Sequence, residues 1–225
     1  VAVIVGTETD LLQLCKLLDF DGSTYQKLFT SRLYCDHANL AAAGISITGP
    51  IVGAPYAVMV LETLIAWGAQ KFFFLGWCGS ISEKIKIGDI IVATSAIIDE
   101  GTSRHYKDNE TRISFPSASM LTTLNNALTQ NQADYHNGTI WSTDAIYRET
   151  CEKVKYFQRQ DAIGVEMEIS ALFTVAKFRG VDLAAMAVVS DELSSFKWRP
   201  GFKMDEFKHG RKTACKVIKD LCRKI

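Results

Sequence analysis

Two acidic sites carry the chemistry that this chain is equipped to perform. Residues 164–168 read Gly-Val-Glu-Met-Glu, which sets Glu166, Met167 and Glu168 at the start of the helical run Ile169–Arg179. Further on, Ser190-Asp191 closes an apolar run of strand character. A carboxylate at a helix start and another at a strand end can face one pocket from opposite sides. One can then hold sugar hydroxyls while the other passes a proton to a leaving group, the division of labour that breaking a glycosidic bond requires.

A frame of strands and helices must bring these groups together. Residues 1–5 are a continuous apolar run ending at Gly6, the pattern of a strand covered on both faces. Apolar residues over 11–18 predict a helix, with Thr9 or Asp10 as its N-cap. Residues 40–48 predict a second strand before the turn signal Gly49-Pro50. Gly53-Ala54-Pro55 opens a helix with proline near its first position, where a missing N–H costs nothing. Residues 56–67 are apolar nearly all round and stop at Gly68, so this helix is expected to be buried. Further strands are expected over 71–77, 90–98, 139–142 and 183–189, and a short helix over 149–157. Leu121, Leu124 and Leu128 mark an amphipathic helix, and Phe207, Ala214, Val217, Ile218 and Leu221 stripe a closing one.

Strands and helices alternate without repeats, low-complexity tracts or an obvious linker. The expected fold is α/β: one domain over residues 1–225, with a central, twisted, mostly parallel mixed sheet flanked by helices. Ligands in such sheets sit at the C-terminal ends of strands. Those ends are Gly6, Gly49, Trp77-Cys78-Gly79, Ser142-Thr143-Asp144 and Ser190-Asp191.

Composition narrows the partners. Lys+Arg and Asp+Glu balance at 25 each, so overall charge draws the chain neither to nucleic acid nor to an anionic membrane. No apolar run reaches the roughly 18 residues of a spanning helix. Residues 1–5 lack the length and basic flank of a signal peptide, which makes the cytoplasm the expected location. Six cysteines without a CxxC pair read as reduced, mostly buried thiols. Four scattered histidines offer no zinc spacing, so neither a metal nor another cofactor is expected.

Taken in chain order, Gly53-Ala-Pro, Gly76-Trp77-Cys78-Gly79-Ser80, Ile87-Gly88-Asp89, Ser142-Thr143-Asp144-Ala145-Ile146-Tyr147, Val165-Glu166-Met167-Glu168 and Ser190-Asp191 form a series. On these motifs the chain resembles the purine nucleoside and uridine phosphorylase superfamily, which also contains nucleosidases. The resemblance covers about residues 1–191. It implies a small-molecule nucleoside substrate, with inorganic phosphate as a possible co-substrate. By this likeness Met167 packs against the ribose and Glu168 takes its 2′- and 3′-hydroxyls, beside Glu166. Asp191, next to Ser190, bonds N7 of a purine and protonates the departing base, while Ile146 and Tyr147 line the base. A raised pKa at Asp191, from burial or a neighbour such as Glu192, would suit that role. The resemblance also implies a homo-oligomer, a dimer or a trimer of dimers forming a hexamer.

The chain departs from the family where phosphate binds. Gly6 is present, but the loop after it, Thr7-Glu8-Thr9-Asp10, carries two acids and no arginine. Trp77 stands where the Gly76–Gly79 turn should offer a hydroxyl, and is read as core or pocket wall. Phosphorolysis leads as the family's commoner chemistry. Hydrolysis by water, oriented by Glu8 or Asp10, is the alternative, and a non-catalytic nucleoside-binding protein the third reading. If phosphate enters, Arg32, Arg104, Arg148 or a neighbouring subunit's arginine must hold it. Residues 99–106 read as a solvated turn, residues 196–201 as a connection to the last helix, and Cys78 as a thiol without a catalytic base.

Overall fold

The computed structural model describes residues 1–35, 44–107 and 112–224. In chain order these form β1 (Ala2–Val5), α1 (Glu8–Leu17), β2 (Gln26–Leu28), β3 (Ser31–Cys35), β4 (Ser46–Gly49), α2 (Ala54–Ala66), β5 (Lys71–Ser80), β6 (Ile90–Asp99) and β7 (Ile113–Ser114). There follow α3 (Ala118–Gln130), β8 (His136–Thr143), α4 (Cys151–Gln158), β9 (Ala162–Glu166), α5 (Ile169–Arg179), β10 (Asp182–Glu192), β11 (Arg199–Pro200) and α6 (Asp205–Cys222). Two 3-10 turns, Thr102–His105 and Ile146–Arg148, interrupt the loops.

All four residues of β1 are buried, and β4 and β5 pair along its two edges, both parallel. On the far edge of β5 runs β10, also parallel. From β10 the ladder continues through β6, β8 and β9, and β9 returns to β5 at Gly79 and Ser80. Five strands thus close on themselves, while β1, β4, β3 and β2 extend as an open wing. The α/β expectation is borne out with a mixed sheet: β6–β8 and β8–β9 are parallel, whereas β5–β9 and β6–β10 are antiparallel.

One consequence of this closure positions the site. The same edge of β5 serves β1 through Leu75 and β9 from Gly79, and in between it has no strand partner on that side. Gly6 N–H still reaches Leu75 C=O at 2.9 Å before its strand diverges. On the other edge, the β5–β10 register shifts between Val189 and Asp191, a bulge that re-aims the side chains around Ser190. A gap opens there, at the strand ends where α/β sheets bind ligands.

The helices cover this sheet as the sequence predicts, with local differences. The N-cap of α1 is Thr7, not Thr9 or Asp10: its Oγ1 accepts from Asp10 N–H at 3.4 Å and donates to Asp10 Oδ2 at 2.9 Å. Asp10 is pulled into the core instead. Thr7→Ala should therefore lower the unfolding free energy by about 1 kcal/mol, read as a lower urea midpoint at unchanged slope. The α2 helix starts after Gly53 and ends before Gly68, as expected. In α5 the first eight residues, Ile169 to Ala176, are all buried, and Gly180 ends it in the left-handed conformation.

Five strands escape sequence reasoning, among them the two-residue β7 and β11. β2 and β3 are a short edge hairpin with too little apolar pattern to register, and β9 is five residues that read only as a lead-in to α5. Of the strand expected over 40–48, residues 40–43 lie outside the described residues; β4 occupies Ser46–Gly49.

Candidate active site

The gap at the β5 edge opens into a cavity of about 640 Å³, in the range of small-molecule sites. Among the residues singled out from sequence, Gly6, Trp77, Cys78, Gly79, Ile146, Tyr147, Glu166, Met167, Glu168, Ser190 and Asp191 line it. β1 brings Gly6, β5 brings residues 76–79, the end of β9 brings the glutamates, and β10 brings Ser190-Asp191. The fit is tight at Gly79, where a Cβ would lie 2.7 Å from Leu193 Cδ1 and 3.1 Å from Asp191 Oδ2.

At one end sit two buried glutamates with different duties. Glu166 turns back into the start of α5. Its Oε2 accepts from the backbone N–H groups of Glu168 and Ile169 at 2.6 and 2.8 Å, and its Oε1 accepts from the Ser142 hydroxyl. Those donors are the orphan amides of a helix N-terminus, so Glu166 acts as the cap of α5 and fixes the backbone of Glu168. Its carboxylate is spent on this task, a role the sequence did not separate from ligand binding. Glu168 accepts from Gly53 N–H at 2.5 Å, and its carboxyl also hydrogen-bonds the Met167 backbone and the Glu166 side chain while lining the cavity. Gly53 holds φ +84°, where a side chain is strained, and that backbone turn aims its N–H at Glu168. Burial raises both carboxyls above the ordinary range, and for Glu166 the nearby Glu168 adds to this.

At the other end, Asp191 has both oxygens engaged. Ser190 Oγ lies 2.6 Å from Oδ1, and the Trp198 indole N–H donates to Oδ2 at 2.9 Å. Ser190 has one hydrogen and faces a second acceptor, Cys78 C=O at 3.2 Å. The segment expected to be a mere connection thus reaches the site: Trp198 and Phe202 both line the cavity, and β11 pairs with the end of β10. Glu192, expected to sit beside Asp191, points the other way along the strand. It accepts from Ile87 N–H at 3.3 Å and pairs with Arg199 and Lys86. The acid that does neighbour Asp191 is Glu149, which also lines the cavity.

Below Gly6 and Trp77 lies a buried charge pair that sequence reasoning missed. Arg211, on α6, donates from Nε to Asp10 Oδ1 at 2.8 Å, and its Nη2 lies 2.7 Å from the same oxygen. The Trp77 indole N–H donates to Asp10 Oδ2 at 2.6 Å, and the Arg211 guanidinium sits 5.1 Å over the Trp77 ring. Trp77 also packs edge-on against Phe207 at 4.8 Å. Trp77 is thus a pocket wall, as expected, and Asp10 neutralises the nearest arginine rather than facing the cavity.

The other arginines considered for phosphate stand elsewhere. Arg32 pairs with Glu8 at 2.8 Å, while Arg104 and Arg148 are exposed and do not border this cavity. No lysine, arginine or histidine lines it among the described residues. Cys78 is buried, and desolvation raises its thiol pKa well above the usual range. Residues 99–106 are more structured than a solvated turn: Glu100 is buried and accepts from Thr102 N–H, Ser103 N–H and Ser170 Oγ. Glu149 and the Asp10–Arg211 pair carried no readable signal, since each is defined by contacts between distant segments. The aromatic-basic composition of residues 196–201 was the one clue to Trp198.

The fold is shared with solved structures of other proteins. The uridine phosphorylase of Vibrio fischeri ES114 superposes with a TM-score of 0.85 at 23% identity, over 100% of this chain and 92% of that one. A futalosine hydrolase mutant of Helicobacter pylori strain 26695 superposes with a TM-score of 0.81 at 17% identity, over 100% and 98%. The chain belongs to the phosphorylase superfamily, whose family model matches residues 1–223. Among curated relatives, the guanosine phosphorylase of Halorubrum lacusprofundi is 31% identical over 157 residues, 70% of this chain and 65% of that protein. The match thus spans just under two thirds of that relative's length. Among the described residues, no helix is long and apolar enough to cross a membrane.

Proposed function

We propose that this protein cleaves the N-glycosidic bond of a purine nucleoside and that water, rather than phosphate, is the acceptor. One observation carries the choice of acceptor: the cavity is lined by Glu149, Glu166, Glu168 and Asp191 and by no basic side chain among the described residues. Phosphate needs fixed positive donors or a free helix N-terminus. Here Glu166 occupies the N-terminus of α5, and Asp10 neutralises Arg211. The cavity thus offers a phosphate dianion no fixed positive donor, whereas an ionised Glu168 favours the positive charge that develops on the sugar as the bond breaks.

In this reading Glu168 accepts from the ribose hydroxyls and Met167 packs on the sugar. Ile146, Tyr147, Trp198 and Phe202 enclose the base, which Asp191 and Ser190 address at its edge. A purine fits better than a pyrimidine because Asp191 supplies a group for its five-membered ring. The curated relative's name favours a second reading, phosphorolysis, with the missing arginine supplied by another copy of the chain. Exposed apolar residues at the cavity, Tyr147 at 98% and Trp198 at 62%, support assembly of copies over its mouth.

Purine nucleosides incubated with the protein should release free base at the same rate with and without phosphate, giving ribose. Release that depends on phosphate and yields a sugar phosphate would establish the second reading. No release under either condition would leave a binding protein.

A further inference from the structure

We propose that Glu149 is the acid that protonates the departing base, acting beside Asp191 as the second carboxyl at the base end of the cavity. The inference deepens the reading above and rests on it.

Glu149 follows the 3-10 turn Ile146–Arg148, precedes α4, and lines the cavity half-buried. Its wall is docked on the segment that bonds Asp191. Lys155 Nζ sits 4.9 Å over the Phe196 ring, and Cys151 Sγ lies 3.9 Å from Phe196 C=O. Trp198, two residues on, donates to Asp191, so the two acids share one corner.

Their hydrogen bonding differs in a way that separates their tasks. An indole N–H can only donate, so Oδ2 of Asp191 is held as an acceptor, and Oδ1 is tied to Ser190. Both oxygens of Asp191 thus already accept a hydrogen bond from the wall. No hydrogen bond or ion pair engages the Glu149 carboxyl among the described residues. The charged groups that face it are Asp191 from β10, Lys153 from α4, and Glu166 and Glu168 across the cavity. Lys153 is committed to Asp99 at 2.8 Å. Burial first, and Asp191 second, push Glu149 up to about 7 against the opposing pull of Lys153. Paired carboxyls in unequal surroundings divide into a proton holder and a fixed acceptor.

The step balances as a hydrolysis. The electron pair of the C1′–N bond stays with the base, which takes the Glu149 proton at a ring nitrogen. Water adds to C1′ and loses a proton, which returns to the Glu149 carboxylate through solvent.

The test compares a purine nucleoside with its N7-methylated counterpart, whose base already carries the positive charge and needs no proton to leave. Glu149→Gln should lose on the order of 10²-fold or more in kcat on the first substrate and keep most of its rate on the second. Rate should fall as pH rises through about 7 in the parent, because the protonated acid is consumed, and this limb should vanish in the variant. Equal loss on both substrates, no loss on either, or a substrate-dependent loss appearing only in Asp191→Asn would overturn the assignment. If the parent protein releases base from neither nucleoside, it is the functional reading that fails.

Discussion

Glu168→Gln is expected to lose on the order of 10²–10³-fold in kcat/KM for base release while leaving the fold intact. The amide keeps an oxygen for Gly53 N–H, so the bond at 2.5 Å that seats this side chain survives. What disappears is the negative charge facing the sugar as its ring gains cationic character, together with a strong acceptor for its hydroxyls. Since both effects grow toward the transition state, kcat should fall as well as affinity. The pH dependence gives an independent readout. Burial raises the Glu168 carboxyl, and only its ionised form can serve as this acceptor. The parent rate should therefore climb with pH as the group ionises, with a limb above the ordinary carboxylate range. Glu168→Gln should flatten that limb. A variant that turns over like the parent would remove Glu168 from the sugar end.

Asp10→Ala is expected to destabilise the protein by about 3–5 kcal/mol, the usual consequence of stripping the partner from a buried charge. Arg211 would keep its charge in a site where its side chain is 11% exposed. The Trp77 indole N–H would lose its acceptor, and Thr7 the carboxylate it donates to. Chemical unfolding monitored by far-ultraviolet circular dichroism measures the loss. Asp10→Asn retains an oxygen for the indole without the charge and should fall between the two. An Asp10→Ala protein as stable as the parent would show that the pair contributes nothing.

Much of the site was legible in the sequence because its residues sit at the ends of regular elements. An apolar strand that stops at Gly6 or at Ser190-Asp191 marks a sheet edge, and Val165-Glu166-Met167-Glu168 before an apolar run marks a helix start. Types at such punctuation points survive without coordinates. The relation between Glu166 and Glu168 did not, because two residues apart at a helix start gives no hint of which carboxyl turns inward to cap. Glu192 misled for a related reason: adjacent positions in a strand face opposite sides, so the sequence neighbour of Asp191 is its spatial stranger. Its actual companion, Glu149, comes from another loop. Arg211 was invisible in the same way, being one basic residue among many on α6 until Asp10 gave it a partner.

The closing of five strands on themselves has a bearing on how this protein is made. Gly6 arrives with the earliest strand and Asp191 with one of the last, and β5 must be zipped on both sides before the space between them exists. The cavity is therefore a property of the finished topology. A chain lacking β10 would lack Ser190 and Asp191 and, with them, one wall of the cavity.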